Sequence, residues 1–365
     1  MKKNPSSNKY LFFFCVYLGF FCKTFAQSDS TQKVRYSSSG YFECYYLLDF
    51  GQPENNFRPP FYYNHNNSNI PSINIGMINT TVQKGKIKAA AGLMMGSYVS
   101  SNLANELNFF KNIYEANATI LLNDKKNIGL QAGIINSHLG FESVIGADCF
   151  TLTRSIAAEN SPYYETAIKF FGKSQNKHYE FNLLLLNGWQ KMPRFKSTFT
   201  PAIGAQVIYS NNKVIINNSN YFGNEGTINA PIWRYFHNFY IIANLNKKGK
   251  LIVGIDLGFQ QVSKNIKPFF WYTSQAVYKH QLTKKFDLAY RIENYKDKNE
   301  VITAVPAESY VDAWAQSLNF DFKLNSNVLI RVEYKALYNV DSIFMRKKLP
   351  SRYNNSITSA ISLKF

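Results

Sequence analysis

The sequence predicts an all-β protein, a transmembrane antiparallel β-barrel of about sixteen strands. Three observations lead there. Apolar and polar residues alternate with period two from residue 40 to the C-terminus. The alternating runs are roughly 9 to 13 residues long, the length a tilted strand needs to cross hydrocarbon. The connections between them are short and long in turn. A soluble sandwich also alternates, but it has no reason to sort its loops by end.

Composition narrows the class further. The 365 residues carry 41 Lys and Arg against 23 Asp and Glu, a net charge of +18, with 16% aromatic and 18% charged residues. So many aromatics exclude a disordered chain. A mean hydropathy of -0.26 leaves no room for several apolar helices. Four cysteines in this length exclude a disulfide-stapled scaffold.

The chain begins with Lys2, Lys3 and Lys9, then an apolar run from Leu11 to Cys22, then Thr24-Phe25-Ala26. That is the layout of a secretory signal peptide over 1–26. The alternatives are a buried N-terminal helix, or a lipoprotein signal at Cys22, which Phe21 disfavours. Cleavage after Ala26 removes Cys15 and Cys22 and leaves Cys44 and Cys149. A flexible segment is expected over 27–39 and the barrel over 40–365.

Within the barrel, Leu251, Val253, Ile255, Leu257 and Phe259 share one strand face, while Gly254, Asp256 and Gly258 take the other. The same pattern runs through Phe286 to Glu293, Trp314 to Phe322, Val328 to Lys335 and Ile357 to Phe365. In order, strands are expected at 40–50, 70–82, 86–99, 112–122, 127–136, 162–171, 178–189 and 201–209. The second half continues with 213–223, 233–245, 250–260, 269–278, 284–295, 309–322, 326–338 and 355–365. Short turns fall near 83–85, 123–126, 172–177, 210–212, 246–249, 279–283 and 323–325. Lysines gather at these turns, including Lys84, Lys125, Lys126, Lys247, Lys248, Lys284 and Lys285. That forms a rim at one end, not a nucleic-acid patch with interleaved aromatics. An even strand count puts both termini at this end. Hydrocarbon forbids unpaired backbone groups, so the sheet must close on itself. Such a width encloses water rather than a packed core. By alternation Lys169, Asp256, Asp287, Arg291, Glu293, Arg331, Glu333 and Lys335 face the lumen.

The third long loop, Ser137 to Ser161, is the longest connection and mixes apolar with charged residues. Phe141, Ile145 and Leu152 need somewhere to pack, and folding into the lumen would bury them. Glu142, Asp148, Arg154 and Glu159, with Glu165 at the start of the next strand, are then candidates for a pore constriction, where fields act strongly. The alternative is a loop lying over the mouth as a cap.

The stretch Asn136 to Glu165 resembles the signature of the OmpL-like beta-barrel porins, a family common in Bacteroidetes-type bacteria. Matching pieces are Phe57-Arg58-Pro59 with Phe61-Tyr62-Tyr63-Asn64-His65, Ile113-Tyr114-Glu115-Ala116, and Leu183 to Gln190. The resemblance covers most of the chain and is densest between 40 and 225. It implies an outer-membrane, porin-like barrel and brings no catalytic residues. Cys149 is unusual in such a loop, and its pairing with Cys44 stays open.

Other chemistries find little support. The sequence contains no phosphate-binding glycine loop and no His-Glu-x-x-His. Ser137 and His138 lie near Glu142, but adjacent residues in an extended segment point opposite ways, which argues against a nucleophile and its base. The expectation is therefore a non-enzymatic outer-membrane porin of a Gram-negative bacterium, passing small hydrophilic solutes by diffusion. No cofactor, metal or nucleic acid is expected. The partners are outer-membrane lipid, the solutes, and the barrel-assembly machinery acting on the C-terminal strand that ends at Phe365. A structural or adhesive barrel without a conducting pore is the first alternative, and an outer-membrane hydrolase the second.

Overall fold

The computed structural model describes residues 33–193, 200–263, 266–303, 305 and 308–365. The expected signal peptide at 1–26, and the expected flexible segment up to residue 32, lie outside the described residues. The strands are β1 (Arg35–Asp49), β2 (Pro71–Lys84), β3 (Ile87–Met95), β4 (Ile113–Leu121), β5 (Ile128–Asn136) and β6 (Tyr164–Lys173). Next come β7 (Tyr179–Leu186), β8 (Ala202–Ser210), β9 (Val214–Asn224), β10 (Trp233–Asn244), β11 (Gly249–Gln261) and β12 (Phe269–Gln281). The chain ends with β13 (Phe286–Asp297), β14 (Val311–Lys323), β15 (Val328–Asn339), β16 (Phe344–Arg346), β17 (Leu349–Ser351) and β18 (Tyr353–Lys364). Two short helices, α1 (Ser97–Asn102) and α2 (Ile156–Glu159), sit in long connections.

β1 to β15 and β18 form one closed antiparallel barrel, each strand paired with its neighbour in the chain. β16 and β17 make a separate hairpin inside the last long loop. The barrel closes where β1 meets β18, from Tyr41 opposite Lys364 to Asp49 opposite Ser356. Closure leaves no unpaired edge, which hydrocarbon would penalise.

Alternation sorts the two faces as expected. On β11, Val253, Ile255 and Phe259 are exposed on the outside, while Ile252 and Asp256 are buried inside. Aromatic side chains ring the outer face at both ends. At the long-loop end Phe222 stacks on Trp233 at 5.1 Å and Tyr338 meets Tyr353 at 5.2 Å. At the short-turn end Phe286 stacks on Phe322 at 4.9 Å and Tyr179 meets Tyr209 at 5.1 Å. Such girdles sit where hydrocarbon gives way to headgroups. No helix among the described residues is long and apolar enough to cross a membrane; the strands do the crossing.

Most boundaries shift from expectation by a residue or two and β12 runs on to Gln281, but three shifts have a structural reason. β1 begins at Arg35, so 35–39 of the expected flexible segment pair with Thr80, Thr81, Val82 and their neighbours on β2. The run Ser37-Ser38-Ser39 reads as linker composition, yet the long β2 supplies a partner for its backbone. The strand expected over 86–99 stops at Met95. Gly96 there has φ 130°, and a Cβ on it would lie 2.3 Å from the Asn74 carbonyl oxygen, so the chain turns sharply into α1. The strand expected to reach 189 stops at Leu186, freeing Trp189 for the mouth of the barrel. Cys44 and Cys149 are both free thiols. Cys44 lies on the outward register of β1 and Cys149 inside, so the barrel wall separates them.

Candidate pore lining and its inward loop

The third long loop leaves β5 and enters the lumen. His138 anchors its start: Nδ1 is 2.8 Å from Glu165 Oε1, and Nε2 donates to the Asn220 carbonyl at 2.9 Å. Burial pulls the His138 pKa down, but the adjoining Glu165 carboxylate and the Asn220 carbonyl together outweigh this and the net shift is upward. Gly140 N–H then donates to Asn238 Oδ1 at 3.1 Å, and Phe141 packs edge-on to Tyr240 at 5.5 Å.

The loop next crosses to the wall formed by β13, β14 and β15. Thr153 donates through N–H and Oγ1 to Glu333 at 2.5 and 2.8 Å, and Ile156 N–H donates to Glu293 at 2.6 Å. Arg291 donates to Thr151 Oγ1 and the Thr153 carbonyl at 2.7 and 2.8 Å while pairing with Glu333 at 3.0 Å. Lys335 joins Glu293 at 2.9 Å and the Arg154 carbonyl at 3.1 Å. Arg331 pairs with Asp321 at 2.7 Å and reaches the Gly146 carbonyl at 2.8 Å. Arg331 lies near the short-turn start of β15, so the loop spans most of the depth of the lumen. Asp148 carries it to Lys364 at the end of β18.

The first long loop, 50–70, folds in beside it. Glu159, at the end of α2, accepts from Tyr63 and Asn64 N–H at 3.0 and 3.1 Å, and Asn160 donates to the Phe61 carbonyl at 3.2 Å. His65 Nε2 donates to Glu43, which also accepts from Tyr41 OH, Asn74 and Ser362 at 2.6 to 2.9 Å. Gly146 rests on this carboxylate, where a Cβ would lie 2.4 Å from Glu43 Oε2. Apolar side chains from both loops, including Phe61, Tyr62, Leu139 and Ile156, pack with the inner wall into a buried cluster. The opposite wall is wetter. Asn79, Glu115, Asn117, Gln131 and Lys169 on β2 to β6 are only partly covered.

The five constriction candidates therefore have different surroundings. Arg154 is fully buried and donates to the Ser143, Leu152 and Val144 carbonyls at 2.7 to 2.9 Å, clasping the two limbs of the loop. Glu142 caps the start of α2 through Ser155 N–H at 2.9 Å and lies 3.6 Å from Arg291. Glu159 and Glu165 are buried and bonded as described. Asp148 alone of the five is half exposed. Of the lumen-facing charges, Arg291, Glu293, Arg331, Glu333 and Lys335 form one buried network with the loop. Asp287 pairs with Lys323 at 2.7 Å, Asp256 accepts from Asn238 at 2.5 Å, and Lys169 has no ionic partner among the described residues.

Ser137 Oγ donates to Glu165 at 3.0 Å, and both His138 nitrogens are engaged elsewhere, so no imidazole faces that hydroxyl. No group of metal-binding side chains occurs among the described residues. Sequence reasoning missed the part played by the first loop. Its signal was present in Phe57 to His65, which mixes aromatic and polar residues as the third loop does.

A closed sixteen-stranded barrel with a loop packed into its lumen defines the class of bacterial outer-membrane porins. The family model described as "Putative beta-barrel porin-2, OmpL-like" matches residues 35–365, and the chain belongs to that family. No curated protein matches it by sequence. Among solved structures, the outer membrane channel DcaP of Acinetobacter baumannii aligns with TM-score 0.62 and 10% identity, covering 93% of this chain and 100% of that one. An anion-selective porin from Comamonas acidovorans gives 0.61 and 8%, covering 91% and 100%. OmpF of Salmonella typhi, in complex with daunomycin, gives 0.57 and 10%, covering 90% and 97%. These similarities support an outer-membrane location in a Gram-negative-type bacterium and a general porin-like function.

Proposed function

We propose that this barrel is a diffusion channel for small hydrophilic solutes in the outer membrane of a Bacteroidetes-type bacterium. It is exported by its N-terminal signal peptide and inserted by the barrel-assembly machinery through the strand ending at Phe365. The inward third loop is the constriction element. Solute passes on the β2 to β6 side, along Asn79, Asn117, Gln131 and Lys169, with Asp148 and Lys364 as the exposed ion pair at the loop's lowest point. The other wall charges and Arg154 hold the loop in place. The observation that carries this reading is a closed barrel whose longest loop is bonded to the inner wall and leaves one polar strip partly uncovered. A barrel that does not conduct is the second reading, favoured by the apolar clusters that the two inward loops build inside the lumen. Planar-bilayer recording of the refolded protein separates the two: discrete ohmic steps are expected, and their absence across many insertions would leave the structural or adhesive reading.

A further inference from the structure

The mouth of the barrel at the long-loop end holds a cavity of ≈ 260 Å³, set above the inward loops. Tyr63, Asn105, Glu106, Asn160, Trp189 and Arg234 line it, with Val301 and Ile302 on one side. We propose that this cavity is a subsite for a neutral saccharide, a mono- or disaccharide held at the entrance; the proposal rests on the porin reading above.

Arg234 is held rigidly. Its Nε and Nη2 both donate to Gln260 Oε1, at 3.0 and 2.7 Å. The guanidinium lies near two indoles, 5.1 Å from the Trp189 ring and 5.8 Å from Trp271. Its Nη1 has no partner among the described residues. Glu106 uses Oε1 to accept from Met192 N–H at 2.9 Å and from Tyr164 OH at 3.1 Å, and Oε2 has no partner among the described residues. Asn160 is 5% exposed and donates through Nδ2 to the Phe61 and Ile156 carbonyls, while its Oδ1 is buried without a partner. Asn105 is exposed, with an amide that bonds to nothing described.

Three features select the ligand class. Free donors and free acceptors line the same small space, and a sugar hydroxyl is both at once. The ionised groups on the lining, Arg234 and Glu106, cancel, so a solute of net charge meets one favourable and one unfavourable partner. Trp189, Val301 and Ile302 offer apolar surface for the C–H face of a sugar ring, as pockets with a few placed polar groups do.

The test is saturation-transfer NMR on glucose and maltose with the refolded chain in detergent, alongside bilayer recording of the same preparation. Saturable transfer to the sugar ring protons is expected. Trp189→Ala should weaken binding about tenfold, and Asn105→Ala, at an exposed position that cannot unfold the barrel, about threefold. Sugar binding that both variants leave unchanged overturns the proposal. So does saturable binding of succinate or of glycylglycine with none of either sugar. A conducting preparation that binds no sugar removes the subsite and leaves the porin reading. A preparation that binds sugar without conducting removes the porin reading and upholds the subsite.

Discussion

Glu159 joins the two inward loops through a carboxylate that burial works against. It is 2% exposed, and although Tyr63 and Asn64 N–H and the nearby Arg154 favour its charge, desolvation raises its pKa from 4.5 to about 7. A folded pKa above the unfolded one means the folded state holds the proton more tightly. The loop contact therefore loses stability as pH rises from about 4.5 to about 7, by up to roughly 3 kcal/mol. On the other side of the loop, Arg291 and Lys335 each have a carboxylate within 3.0 Å, and these buried pairs fix the loop's position against the wall. Amide exchange at Tyr63 and Asn64, corrected for intrinsic rates, should show less protection at pH 8 than at pH 5.5. Glu159→Gln keeps an acceptor and removes the charge, so it should flatten that difference and protect these amides more at pH 8. An equal pH response in both proteins would sink this assignment.

The third loop owes its fold to its own clasp as much as to the wall. Arg154 bonds three carbonyls of the loop, and Gly146 supplies the one position where backbone can rest on Glu43. The clasp does not hold the barrel, whose strands pair independently of it. Deleting 141–158 should therefore leave a folded barrel and raise single-channel conductance about two- to fivefold, because the lumen of a barrel this wide is otherwise aqueous. An unchanged conductance in a folded deletion protein would mean the loop does not obstruct the path. At this scale the sequence was most readable. Period-two alternation located the strands, because one face meets lipid and the other meets loops and water, and the two differ sharply in chemistry. Phe141, Ile145 and Leu152 pointed inward because an outward loop would leave them wet. Alternation also put Arg291, Glu333 and Lys335 on the inner face. It could not reveal that loop backbone would bury them, since which carbonyl meets which guanidinium depends on the three-dimensional path of the chain. The stop at Gly96 was missed for a related reason: the close Asn74 carbonyl comes from another strand.

Across the whole molecule, charge is distributed by depth. On the side filled by the third loop, cations and carboxylates are matched, with Lys279 and Arg331 on Asp321 and Lys323 on Asp287. Below the loops, alternation turns Lys88, Lys169 and Lys250 inward with no carboxylate within ion-pair distance among the described residues, while Lys173 is neutralised by Glu180 at 2.7 Å. Of the loop carboxylates that could offset the excess, Glu142 lies 3.6 Å from Arg291, Asp148 pairs with Lys364, and Glu159 is buried against the first loop away from this water. On the β2 to β6 wall Glu115, held by Asn79 and Asn117, offsets one of Lys88 and Lys169, so the water there lies in a weakly positive field, which screening at physiological salt weakens but does not abolish within a narrow lumen. In a KCl gradient the reversal potential should favour chloride over potassium. Lys169 is the half-buried member of the set, with Glu180 on the neighbouring strand β7 and Glu165 on its own strand acting on it at longer range. Lys169→Glu should shift the permeability ratio toward potassium by about two- to fivefold, the scale of a two-charge change a few ångströms from the ion path in a mostly aqueous medium. Clear cation selectivity in the unmodified channel would show that the matched wall, not the unpaired lysines, sets the field along the path.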